Sequence, residues 1–118
     1  MAQSIIAEKS KTFALDIIAL YKFLTEEKKE YVLSKQLLRS GTSIGANIRE
    51  GTRGQSKADF ISKMSIALKE AEETMYWLEL LNESGYIEDN LFTDMSSKCN
   101  ELIKILVSIT KTASTNNS

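Results

Sequence analysis

The polar residues best placed for chemistry are Arg39, Ser43, Asn47, Glu50 and Glu73. The first four recur at steps of three and four residues, so a helix would carry them on one side. A guanidinium, a hydroxyl, a carboxamide and two carboxylates can do either of two things. They can grip a polar ligand such as RNA, or they can bond to one another and fix the register of two helices. Buried polar groups must be paired, and a paired set specifies one packing. A second, overlapping group is basic: Lys35, Arg39, Arg49, Arg53 and Lys57. Side chains of that kind neutralise phosphates.

Other chemistries are harder to build from this chain. It has no histidine, which removes histidine acid–base catalysis, the serine–histidine–aspartate triad and histidine metal ligands. Its one cysteine, Cys99, lies on an apolar stripe with no evident base beside it. That pattern fits a buried structural thiol. Glu70 and Glu73 stand three apart and Glu50 can approach them, but di-iron bundles use Glu-x-x-His pairs. The segment GTRGQSK lacks the spacing of a phosphate-binding loop and follows a helix pattern where that loop follows a strand. The expectation is a non-enzymatic protein with no metal and no cofactor.

The elements that must position these residues read as four helices. From about Ser4 to Thr25, Phe13, Ile17, Leu20 and Leu24 form an apolar stripe. The stretch TEEKKE reads as a connection. A second helix begins near Lys29 and runs to the glycines at 51 and 54. Within it Leu37, Leu38, Gly41, Ile44, Gly45 and Ile48 share one face. An interior glycine weakens a helix by roughly 1 kcal/mol relative to alanine, so Gly41 and Gly45 suggest a closely approaching neighbour. Ser56 is a good N-cap for a third helix, with Asp59 three residues on.

Phe60, Met64, Ala67, Ala71, Met75, Leu78 and Leu81 form the third stripe, and Gly85 closes that helix. A fourth helix starts near Asp89, with Leu91, Met95, Cys99, Leu102, Leu106 and Ile109 as its stripe. Short connections between amphipathic helices make an all-α, antiparallel up-down four-helix bundle the natural closed solution. The expected domain is 1–113, with a disordered tail at 114–118. Tyr76 and Trp77 read either as a stacking platform for bases or as core and oligomer contacts.

The totals agree with that picture. The chain has 118 residues, 42% hydrophobic and 26% charged, with no proline. That length fits one domain, and the lack of breakers favours long helices. No apolar run reaches the roughly 18–20 residues of a membrane span, and MAQSIIAEKSK does not read as a signal peptide. With a single cysteine, the expected location is cytoplasmic.

The net charge of -1 hides an uneven distribution. Residues 31–57 carry five basic side chains against one acidic, and residues 58–87 carry two basic against six acidic. The two helices are charge complements. Either their flanks attract within one molecule, or the protein shows a basic surface on one side and an acidic one on the other.

The stretch QLLRSGTSIGANIREGTRGQSKADFISKMSIALKEAEETMYWLELL resembles the signature of the bacterial 23S rRNA-intervening-sequence proteins, also labelled ribosomal protein-like. The residues that carry the resemblance are Arg39, Ser43, Ile44, Ala46, Asn47, Ile48, Glu50 and Gly51, then Ser56, Phe60, Ala67 and Glu73. Many members have proline where this chain has Gly45. The resemblance implies a four-helix bundle that assembles into a ring, often a pentamer. It is similar, more distantly, to the basic accessory protein of diversity-generating retroelements, which binds nucleic acid. The expected partners are therefore a homo-oligomer of this chain and RNA or another nucleic acid, with no membrane. The alternative is a structural or protein-interaction module with no nucleic-acid role.

Overall fold

The structure, a computed structural model, describes residues 2–116. Four helices follow one another: α1 (Ala2–Glu26), α2 (Leu33–Thr52), α3 (Lys57–Glu83) and α4 (Asp89–Asn116). Among the described residues there is no strand. Each helix packs on the next, and α4 closes on α1 to complete an up-down bundle. The α2–α3 pair shares the most surface and the α1–α4 pair the least. The molecule measures 48 × 21 × 20 Å, as expected of helices about 30–42 Å long lying side by side. No helix among the described residues is long and apolar enough to cross a membrane. Of the tail expected at 114–118, helix α4 takes in residues as far as Asn116. The last two lie outside the described residues.

The apolar stripes meet along the bundle axis. Phe13, Ile17 and Leu24 of α1 are buried with Leu37, Ile44 and Ile48 of α2. Met64, Leu78 and Leu81 of α3 and Met95, Leu102 and Leu106 of α4 complete the core. Phe60, Met75, Leu91 and Ile109 reach it only in part. Gly41 explains itself at the α1–α2 crossing. A Cβ there would sit 2.8 Å from Cγ1 of Ile17, so any side chain would push the two helices apart.

The connections are built by identifiable caps. Ser56 adopts extended backbone angles and its hydroxyl accepts the Asp59 N–H at 3.1 Å, starting α3. Gly85 has a φ of 87°, the left-handed region. The chain then folds back so that the Tyr86 and Ile87 N–H groups donate to the Leu81 carbonyl at 2.9 and 3.2 Å, which ends α3.

The start of α2 differs from the expectation of Lys29. Lys29 has a φ of 56° and lies outside the helix, which begins four residues later at Leu33. Glu30 sets that boundary. Its buried carboxylate accepts the N–H groups of Val32 at 3.1 Å, Leu33 at 3.0 Å and Ser34 at 2.6 Å. Three orphan donors of the first turn are satisfied by one negative charge at the positive end of the helix.

Candidate functional site

Two polar regions occupy the α2 side of the bundle. The first is an interhelix clasp. The Arg39 guanidinium donates to Glu70 at 3.1 and 3.3 Å and forms a short contact to Glu73. The Trp77 indole N–H donates to the same Glu73 carboxylate at 3.0 Å. That bond lowers the Glu73 carboxyl from its ordinary value. Burial opposes it and Arg39 assists it. Directly beneath, the buried Ser40 and Thr74 hydroxyls are hydrogen-bonded 2.9 Å apart. The clasp therefore ties α2 to α3 at one level of the bundle, and it absorbs the charge of Arg39.

Only part of the five-residue set expected from the sequence meets here. Arg39 and Glu73 do. The Ser43 hydroxyl turns back to the Arg39 carbonyl at 2.6 Å, and the Asn47 amide turns back to the Ser43 carbonyl at 2.8 Å. Both bonds stay within α2. Glu50 lies about three turns further along α2 from Arg39 and pairs with Lys63 of α3 at 3.1 Å. Among the described residues, no group of three or more His, Cys, Asp or Glu side chains stands ready for a metal ion. Cys99 is buried, its Sγ 3.2 Å from the Ala71 carbonyl, and burial pushes its thiol up to about 12.

The second region is a groove of about 740 Å³ running between α1 and α2 toward the start of α3. Ala7 and Ala14 of α1 and Gly45 and Ala46 of α2 give it a floor of small side chains. Lys11, Arg49 and Arg53 flank it, with Lys63, Glu50 and Asp59 at one end. Lys63 and Glu50 neutralise each other. Among the described residues, Lys11, Arg49 and Arg53 form no ion pair. Arg49 and Arg53 are one helical turn apart and all three are exposed.

The basic set expected from the sequence is thus divided. Arg49 and Arg53 enter the groove, while Arg39 is held by carboxylates. Lys35 lies fourteen residues before Arg49 on α2, about 21 Å along the axis. Lys57 starts α3 outside the groove lining. Lys11 was missed, because the lysines of α1 read as an ordinary solvated face until helix pairing sets one of them opposite Arg49. Glu70 and Trp77 were seen only in other roles.

A small all-α bundle with a polar clasp and a basic groove, both centred on α2, is the class of protein these features define. The chain belongs to the 23S rRNA-intervening sequence protein family, whose model matches residues 2–108. Among solved structures it is similar to a protein with unknown function from the S23 ribosomal protein family of Bacteroides thetaiotaomicron VPI-5482. The two are 54% identical, with a TM-score of 0.93 over 94% of this chain and 99% of the other. No curated protein matches it.

Proposed function

We propose that this chain is a non-enzymatic, cytoplasmic bundle protein that self-associates and binds RNA through phosphate contacts. The observation that carries this reading is the groove. Lys11, Arg49 and Arg53 converge on it from two helices with their charges unneutralised. With Lys63 paired to Glu50, these three cations outnumber the remaining acid of the lining, Asp59, and a locally basic cleft attracts a polyanion even when the whole chain is near neutral. The family's name links its members to insertions in 23S rRNA, which makes structured RNA the first probe. Self-association rests on the family resemblance; Ile66, Tyr76 and Val107, exposed on α3 and α4, are available to such a contact. The resemblance suggests a ring of five.

A gel-shift titration at low salt tests the binding. Wild type should shift structured RNA, while Arg49→Glu and Arg53→Glu should bind weakly with their helical content intact. No shift at tens of micromolar protein would leave the second reading, a protein-interaction module. One observation favours that alternative: the clasp commits Arg39 to Glu70 and Glu73 within the molecule, so part of the basic helix is neutralised internally. A monomeric mass in light scattering would remove the self-association.

A further inference from the structure

The groove has a chemistry that narrows what it can accept. Resting on the RNA-binding reading above, we infer that it takes the phosphate backbone of a duplex in preference to a single strand, and that Lys11 is one of the contacts. Among the described residues, no aromatic side chain lines the groove. Proteins that hold single strands stack bases on aromatic rings, worth roughly 1–3 kcal/mol per base. The chain's stacking-capable pair, Tyr76 and Trp77, has ring centroids 5.3 Å apart. It lies thirteen residues beyond Lys63 on α3, about 20 Å from the end of the groove. Trp77 is also committed to Glu73 through its indole N–H.

The floor of the groove offers no side-chain hydrogen bond to a base edge. It consists of Ala7, Ala14, Gly45 and Ala46. The hydroxyl of Thr42, also in the lining, donates to the Leu38 carbonyl at 2.7 Å. The unpaired cations of the lining are Lys11 from α1, Arg49 in the last turn of α2 and Arg53 at its C-cap, about 6 Å further along the axis. Asp59 repels phosphate at the α3 end, where Glu50 is paired with Lys63, so the backbone follows the side bearing Lys11, Arg49 and Arg53. The low floor lets a ridge of backbone come close to α1 and α2. Double-stranded DNA presents one charge per about 1.7 Å of axis, against about 3.4 Å for each of its strands, and pairing two RNA strands raises the charge density in the same way. A duplex is also already ordered, so it loses less freedom on binding.

Competition binding at 50 mM salt tests this with a labelled RNA duplex and its two separated strands. The duplex should bind at least about fivefold tighter than either strand. Lys11→Glu should weaken duplex binding about tenfold, the loss of one released counterion at that salt. Ala46→Tyr, at an exposed position in the groove, should weaken it similarly with an unchanged melting temperature. A DNA duplex of the same length should bind within about threefold of the RNA duplex, since both offer the same phosphates. Equal or tighter binding of the single strands overturns the inference while leaving the RNA reading intact. So does full duplex binding by Ala46→Tyr, or a DNA duplex that does not bind. Failure of every nucleic acid to bind overturns both.

Discussion

Replacing Glu30 by alanine should destabilise the bundle by roughly 2–4 kcal/mol. A single side-chain cap contributes roughly 0.5–2 kcal/mol, and Glu30 accepts three backbone N–H groups. Its charge at the helix start, in a partly buried geometry, adds up to about 2 kcal/mol. Burying a carboxylate opposes both contributions. For a domain of this size each kcal/mol moves the melting temperature by about 4 °C, so thermal unfolding should shift down by roughly 8–16 °C. Glu30→Gln keeps one acceptor oxygen and loses the charge, so it should fall about halfway.

The effect must also depend on pH. Burial pushes the Glu30 carboxyl up, but the N–H bonds of Leu33, Ser34 and Val32 outweigh it and hold it below its ordinary value. A carboxyl lowered in the folded state stabilises fully above its unfolded value, and that contribution is lost as pH falls through the folded value. The gap between wild type and Glu30→Gln should therefore be full near neutral pH and shrink below about pH 4. A melting temperature for Glu30→Ala within about 3 °C of wild type would refute the capping account, as would a gap that widens on acidification.

Three further outcomes follow from the packing. Gly41→Leu should lower the urea midpoint by the equivalent of roughly 1–3 kcal/mol or more, because a Cβ at Gly41 already falls 2.8 Å from Ile17. An unchanged midpoint would mean that α1 and α2 do not approach closely there. Asn47→Ala should change stability by less than about 0.5 kcal/mol, since its amide bonds only the Ser43 carbonyl of its own helix. A loss above about 1 kcal/mol would restore it to an interhelix network. Cys99, its thiol pushed up to about 12 by burial, should react with a thiol reagent at pH 8 only at the rate of unfolding, and fast labelling of the folded protein would contradict its placement.

The bundle itself was legible because its information is local and periodic. The stripe from Phe13 to Leu24, the cap at Ser56 and the glycine at 85 each declare themselves within one helix or turn. Where a contact depended on how two helices register, legibility fell. Arg39 and Glu73, thirty-four positions apart, do meet. Ser43 and Asn47 share the helix side of Arg39, but each satisfies its hydrogen bond one turn back, which no spacing rule excludes. Glu50 needed the α2–α3 register to find Lys63. Glu30 was hidden for another reason: a glutamate in a run of charged residues looks solvated, and only the fold-back of the chain after Lys29 turns its carboxylate onto the helix start. Lys11 became a groove residue through the close approach of α1 and α2, where Gly45 lies against Ser10.

Whether the groove cations bind nucleic-acid phosphates is read from the salt dependence of RNA affinity. With Lys11, Arg49 and Arg53 each neutralising one phosphate, a plot of log affinity against log salt should have a slope of about -2.7 per bound protomer on a duplex. Affinity should then fall about 40-fold between 50 and 200 mM salt. Arg49→Ala should make that slope shallower by about 0.9. A slope near zero, or a slope that Arg49→Ala leaves unchanged, would contradict the account.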